Sequence, residues 1–160
     1  QETAAQAALR LAQLKAQSIA QNHPSSVVIG SDQLATFDDQ ILGKPGNYNN
    51  AFAQLRSMSG KAVTFHTGLC VIRGQHSQAV VEPFVVNMRQ LSDTEIDNYL
   101  HREQPYDCAG SFKSEGLGIS LFESMQGKDP NTLIGLPLIT LVNMLNKLGC
   151  GPLQQERPQP

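Results

Sequence analysis

Apolar residues recur along the chain with two different periods, which predict helices interleaved with strands. Residues 2–22 are rich in alanine and leucine, and residues 48–58 carry a second helical stripe. Residues 92–95 form a capping box that predicts a third helix, and Pro137 opens a last helix that Gly149 ends. The residues at helical spacing in the first, second and last helices are Ala8, Leu11, Ala12, Lys15 and Ile19; Ala51, Phe52, Leu55 and Met58; and Leu138, Leu141, Val142, Leu145 and Leu148.

Segments typical of strands lie between these helices. Residues 27–29 form a continuous apolar run, typical of a strand covered on both faces, and the polar residues 30–33 predict its end. A hairpin is expected next, with its turn at Asp38 and Asp39. Further strands are expected at residues 62–73, 78–88 and 119–122. The predicted fold class is therefore α/β, bordering on α+β, with a mixed β-sheet flanked by helices.

Length and composition narrow the possibilities. The chain has 160 residues, enough for one domain, which we place at residues 1–150 before a flexible Pro/Gln-rich tail at residues 151–160. The net charge is −2 and no run of Lys or Arg occurs, which argues against nucleic acid or a membrane as the partner. The three cysteines are scattered and form neither a disulfide framework nor a metal motif, so we expect a cytoplasmic location.

A glycine-rich segment, residues 108–118, places Lys113 and Glu115 two residues apart on a flexible backbone. It is neither a Walker A loop nor a dinucleotide fingerprint, because the residues that define those motifs are absent. A carboxylate such as Glu115 accepts hydrogen bonds from adjacent N–H groups, which guanine presents on its N1/N2 edge. Gln33 both donates and accepts, so it could read a neighbouring group on the same base. The alternative for the segment is a plain connection.

Three more polar residues are candidates for chemistry. Asp32 lies where an apolar strand is expected to give way to a turn, and a carboxylate there can hold a metal ion or accept a proton from water. The alternative for Asp32 is a turn residue that satisfies nearby N–H groups. Lys44, in a Gly-Lys-Pro loop, and Lys15, on the first helix, could bind phosphate or could simply be solvated.

An ordered set of motifs spans about residues 5–150. The first are Leu11-Ala12-x-x-Lys15-Ala16, Ile29-Gly30-Ser31-Asp32-Gln33, Gly43-Lys44-Pro45, and Met58-Ser59-Gly60-Lys61 with Thr67-Gly68. The set is completed by residues 108–118 and by Gly127-x-Asp129-Pro130-Asn131-Thr132-x-x-Gly135-Leu136-Pro137. In order and spacing these motifs resemble Maf-type nucleotide pyrophosphatases, and Gln33 with Glu115 resembles the 7-methyl-GTP branch of that family. The dTTP/UTP branch carries threonine and glutamine at these two positions.

The resemblance implies a Maf/inosine-triphosphatase-like fold with a substrate cleft between two lobes. It implies hydrolysis of 7-methyl-GTP to 7-methyl-GMP and pyrophosphate, with a divalent cation, Mg²⁺ or Mn²⁺, bridging phosphate oxygens. Asp32 matches the proton acceptor and could help to place the metal. Lys15 and Lys44 match lysines near the phosphates, and Gln33 and Glu115 match the specificity positions. Family members commonly form homodimers, which makes a homodimer the expected assembly.

The sequence also departs from the family pattern at one point. Family members open with a strand and a Ser-x-Ser-Pro-(x)-Arg phosphate loop, whereas this sequence begins at the helix that carries Lys15. Two alternatives to 7-methyl-GTP hydrolysis therefore stay open at this point. One is a catalytically silent nucleotide-binding or assembly module, and the other is a dTTP/UTP pyrophosphatase.

Overall fold

The computed structural model describes residues 1–157. Helices and strands interleave in it, as the α/β pattern predicted. Its elements in chain order are α1 (Ala4–Ala20), β1 (Val27–Phe37), β2 (Gln40–Ile41), α2 (Tyr48–Met58), β3 (Ala62–Arg73), β4 (His76–Met88), α3 (Asp93–Glu103), two 3₁₀ turns (Ala109–Ser111 and Leu117–Leu121), β5 (Phe122–Gln126), α4 (Asn131–Ile134) and α5 (Leu138–Lys147). No helix in this part of the chain is both long and apolar enough to cross a bilayer.

The strands form one sheet in the order β2-β1-β3-β4-β5. Every strand pair within residues 1–157 is antiparallel, whereas a mixed sheet was expected. Two of the connections are two-residue turns, at residues 38–39 and 74–75, and such short turns can join only antiparallel strands. Asp38 and Asp39 both have positive φ, as a type I′ turn requires, so the predicted hairpin is confirmed.

Helix α1 packs unusually close to one face of the sheet. A Cβ added at Gly68 would lie 2.2 Å from the Ala8 carbonyl oxygen, and one at Gly30 would lie 2.5 Å from that of Ala12. Gly30 and Gly68 thus allow the alanine face of α1 to pack directly against the strands. That face differs from the predicted stripe, because Ile19 is 53% exposed. The buried residues of α1 are Ala7, Ala8, Ala12 and Ala16.

The opposite face of the sheet carries the larger core and the other helices. The three fully buried side chains of Leu55, Met58 and Leu100 anchor α2 and α3 against it. Asn47 caps α2, and Ser92 forms the predicted capping box of α3. In α5 the prediction is only partly confirmed: Leu141 is buried, but Leu138 is 42% exposed.

Two predicted boundaries are wrong. Strand β1 does not end at residues 30–33; its ladder with β3 runs unbroken from Val27 to Thr36. Its polar residues are tolerated there because they find partners on both faces, as when Ser31 donates to the Gly135 carbonyl at 2.7 Å. The strand expected at residues 119–122 is a 3₁₀ turn followed by β5. Of the predicted tail, residues 158–160 lie outside the described residues.

Candidate active site

A cavity of about 160 Å³ opens on the sheet face that carries α2 to α5. Gln33 of β1 and Glu115 of the glycine-rich segment both line it. Pockets that enclose a whole ligand usually measure about 300–1,000 Å³, so this cavity suits one ring system and not a complete nucleotide. The other lining residues are Ala35, Phe65, Cys108, Ala109, Phe112, Lys113, Ser114, Leu133 and Ile134.

Helix α3 fixes the backbone on both sides of Glu115. The Lys113 N–H donates to the Tyr99 hydroxyl at 3.0 Å, and the Leu117 N–H donates to the Glu103 carboxylate at 3.1 Å. Burial raises the pKa of Tyr99, so its hydroxyl remains protonated at neutral pH. A Cβ at Gly116 would lie 2.2 Å from Glu103 Oε1, so a side chain there would displace the Glu103 carboxylate from its present position. Gly116 therefore lies directly against the end of α3, whereas Gly118 lies against the Lys113 backbone within the segment.

The Gln33 amide is held by the opposite wall of the cavity. Its Nε2 donates to Thr67 Oγ1 at 2.9 Å, to the Thr132 carbonyl at 2.8 Å and to the Leu133 carbonyl at 3.2 Å. Thr67 lies directly across from Gln33 in the β1–β3 register, so its position follows from the pairing of the strands. Thr132 and Leu133 belong to α4, which therefore forms part of the binding wall.

Buried Asp129 positions α4. Its Oδ1 accepts from the Asn131 N–H at 2.9 Å, and its Oδ2 accepts from the Ile139 N–H at 2.9 Å. Burial raises the pKa of this carboxyl, but hydrogen bonds, chiefly those from the Ile139 and Asn131 N–H groups, outweigh it, and the net pKa is lowered. Asp129 is thus a charged anchor that holds the start of α4 and the start of α5 together.

Asp32 and Lys15 lie together on the other face of the sheet. Lys15 Nζ donates to Asp32 Oδ1 at 2.6 Å, and the two side chains are 59% and 20% exposed. Asp32 sits in the middle of β1, not at a strand end, and neighbouring residues of a strand point to opposite faces. Asp32 therefore faces α1 while Gln33 faces the cavity. The family resemblance implies one substrate cleft for both Asp32 and Glu115, but only Glu115 lines this cavity.

Lys44 lies apart from both groups. It is exposed and lines a separate shallow depression with residues of α2. Its loop is nevertheless tied to the glycine-rich segment, because the Gly43 carbonyl accepts from the Gly110 N–H at 3.4 Å and from Gln54 Nε2 at 3.1 Å. The structure thus brings Gln33 together with Glu115 and Lys15 together with Asp32, and places Lys44 with neither pair.

The described residues contain no cluster of three or more His, Cys, Asp or Glu side chains that could hold a metal ion alone. Asp32 is the candidate ligand. One of its oxygens is occupied by Lys15, and the other forms none of the hydrogen bonds within residues 1–157. A single carboxylate oxygen fits the way Mg²⁺ is often bound, through one or two carboxylates with water and substrate phosphates.

Sequence reasoning missed three polar residues that lie behind the cavity lining and support it: Thr67, Thr132 and Asp129. All three are almost completely buried. All three lie in the motifs that carry the family resemblance, but no role in the cavity was predicted for any of them. A threonine at an otherwise apolar position of an alternating strand was the available signal, because buried hydroxyls need partners.

Comparison with known proteins agrees with the motifs. A family model described as Maf-like protein matches residues 1–148. A 7-methyl-GTP pyrophosphatase of Colwellia psychrerythraea is 54% identical over 149 residues, which cover 92% of this chain and 74% of that protein. A 7-methyl-GTP pyrophosphatase of Nitrosococcus oceani is 54% identical over 142 residues, which cover 88% and 71%. The chain therefore belongs to the Maf-like protein family.

Proposed function

We propose that this protein hydrolyses 7-methyl-GTP to 7-methyl-GMP and pyrophosphate. Two relatives that are 54% identical to the chain carry the name 7-methyl-GTP pyrophosphatase, and the match extends over most of each protein. The family fixes the general chemistry, and the residues of the cavity argue for the substrate.

The observation that carries the proposal is the shared cavity of Gln33 and Glu115. A carboxylate only accepts hydrogen bonds, and the nitrogen of the Gln33 amide is occupied by protein carbonyls. Both residues thus offer acceptors, which matches the N1–H and N2–H donors of guanine. The negative charge of Glu115 also suits a methylated, cationic base, whereas a uracil or thymine edge would set its own carbonyl oxygens against these acceptors.

The triphosphate would extend from the cavity past β1 toward Lys15 and Asp32. Gln33 and Asp32 are consecutive, and β2 pairs only with Thr36 and Phe37, so at Asp32 and Gln33 β1 is an edge of the sheet within residues 1–157. A nucleotide would pass around this edge to contact both faces of the strand. Lys15 would neutralise charge that develops on the phosphates, and Asp32 would accept the proton of the attacking water. Lys44 would bind the outer phosphates if its loop moves together with the glycine-rich segment.

Mg²⁺ or Mn²⁺, held by Asp32 and by the nucleotide, would neutralise the phosphates when bound. Because one carboxylate is a weak site by itself, we expect the metal to bind with the nucleotide. Mg²⁺ alone should therefore leave the melting temperature unchanged, and Mg²⁺ with nucleotide should raise it. An equal rise with Mg²⁺ alone would contradict this arrangement.

The decisive experiment is pyrophosphate release from a panel of 7-methyl-GTP, GTP, dTTP and UTP in Mg²⁺, with and without a chelator. We expect kcat/KM to be highest for 7-methyl-GTP and the chelator to abolish turnover. Preference for dTTP or UTP would overturn the substrate assignment, and binding without turnover would favour a silent nucleotide-binding module. The predicted homodimer can be checked on the same preparation by light scattering.

A further inference from the structure

The orientation of the Gln33 amide is determined by its surroundings. Two of the acceptors next to its nitrogen are backbone carbonyls, of Thr132 at 2.8 Å and of Leu133 at 3.2 Å. Carbonyls cannot donate, so a flipped amide would place its oxygen against two other oxygens and lose these hydrogen bonds. The hydrogen-bonding pattern therefore requires that the nitrogen, and not the oxygen, faces α4.

Thr67 completes this arrangement. Its hydroxyl donates its only hydrogen to the Thr132 carbonyl at 3.0 Å, so toward Gln33 Nε2, at 2.9 Å, it presents a lone pair. Its side chain is fully buried, so bulk solvent does not reach the hydroxyl. Three acceptors thus surround a group with two hydrogens, which leaves the amide no N–H to offer to a ligand.

The Gln33 oxygen, by contrast, is available. It forms none of the hydrogen bonds within the described residues, yet no buried side-chain oxygen or nitrogen among them lacks a partner. Gln33 Oε1 is therefore accessible, and the residue lines the cavity. The cavity presents a carbonyl oxygen from one wall and the Glu115 carboxylate from the other.

We propose that Thr67 is a positioning residue for base recognition: it holds the Gln33 amide so that only the carbonyl oxygen faces the base. This inference rests on the proposed function, since the base is taken to be a guanine that donates from N1 and N2. The two shortest contacts of the amide nitrogen are those to the Thr132 carbonyl and the Thr67 hydroxyl, and the contact to the Leu133 carbonyl is the longest, at 3.2 Å. Without the hydroxyl, one N–H would keep only this longer and weaker contact. The amide could then offer this N–H to the carbonyl oxygens of a pyrimidine.

The first test is kinetic. Thr67→Val removes the hydroxyl but keeps the shape and the β-branching of the side chain. We expect kcat/KM for 7-methyl-GTP to fall about 10-fold, mainly through KM, and the preference over UTP to narrow by a similar factor. Thr67→Ser restores the hydroxyl and should recover most of the loss. Thr64→Val, in the same strand, is the control and should behave as wild type.

The second test needs no substrate. In wild-type protein, the side-chain amide protons of Gln33 should exchange with solvent more slowly than those of Gln75, which is exposed in the β3–β4 turn. Thr67→Val should remove much of this protection, and Thr64→Val should not. Rapid exchange of the Gln33 amide in the wild type would overturn the inference, even if Thr67→Val failed to fold.

The two tests separate the two proposals. Suppose that 7-methyl-GTP is not turned over, but the Gln33 amide protons exchange slowly in the wild type and faster in Thr67→Val. The substrate assignment is then wrong, whereas the role of Thr67 in holding the Gln33 amide is supported. Suppose instead that the wild type hydrolyses 7-methyl-GTP, and that Thr67→Val has the same KM and the same ratio of kcat/KM for 7-methyl-GTP to that for UTP. The proposed positioning role of Thr67 is then wrong.

Discussion

Lys15 Nζ lies 2.6 Å from Asp32 Oδ1, so the first helix and the first strand are joined by an ion pair on the face of the sheet opposite the cavity. The lysine side chain is 59% exposed, and ion pairs of this kind contribute only about 0–1 kcal/mol to stability. The pair therefore contributes little to the stability of the fold.

Replacing Asp32 should separate catalysis from stability. We expect Asp32→Asn to lower kcat by about 10²–10⁴-fold, because an amide cannot accept the proton of the attacking water. The free energy of unfolding should change by less than about 1 kcal/mol, since the lysine of the ion pair is largely solvated. Pyrophosphate release and urea denaturation measure the two quantities. Asp38→Asn in the β1–β2 turn is a matched control, because asparagine also tolerates positive φ. Retained turnover in Asp32→Asn would remove this residue from the role of proton acceptor.

Changing both acceptors of the cavity should change the substrate. In the double variant Gln33→Thr with Glu115→Gln, we expect kcat/KM for 7-methyl-GTP to fall by about 10²-fold and that for UTP or dTTP to rise. The reason is that glutamine offers both a donor and an acceptor to a pyrimidine edge and lacks the charge that favours a cationic base. Glu123→Gln, which neutralises an exposed glutamate on β5, serves as the control. An unchanged ratio of kcat/KM for 7-methyl-GTP to that for UTP or dTTP would contradict the assignment of Gln33 and Glu115 to base recognition.

Adding a methyl group where α1 contacts the sheet should destabilise the fold. A Cβ at Gly68 would lie 2.2 Å from the Ala8 carbonyl oxygen, which is helix backbone and cannot rotate away. We expect Gly68→Ala to lower the free energy of unfolding by about 1–3 kcal/mol and to weaken turnover by shifting Lys15. Gly43→Ala meets nothing within 4 Å and should change stability by less than about 0.5 kcal/mol. Equal stabilities of the two variants would show that α1 is free to move.

Stability should depend on the charge of Asp129 at acid pH. The folded state lowers the pKa of this carboxyl below its ordinary 3.8, so its contribution is complete above about pH 4 and is lost as the pH falls through the folded-state pKa. Asp129→Asn should cost about 2–3 kcal/mol at neutral pH, because an amide nitrogen would face an N–H donor. The difference between wild type and variant should shrink below pH 4, as denaturation at several pH values would show. A difference that is independent of pH would mean that the charge of Asp129 does not stabilise the fold.

The sequence by itself was sufficient for the family and for most elements. Capping residues such as Ser92 and the turn pair Asp38 and Asp39 act through local hydrogen bonds and backbone preferences, so their structural roles were predicted from a few neighbouring residues. Gln33 and Glu115 were identified as partners through the family motifs, and both line the cavity.

Only the tertiary structure decided on which face of the sheet each candidate lies. Asp32 was predicted at a strand end because it follows an apolar run, but pairing with β3 extends the strand through it, and alternation then sends Asp32 and Gln33 to opposite faces. The partners of Gln33 were equally inaccessible to local reasoning, since Thr67 and Thr132 are 34 and 99 residues away in the chain. Local patterns determine helices, strands and turns, whereas strand register and helix docking, which are set by burial across the whole chain, determine which side chains share a site.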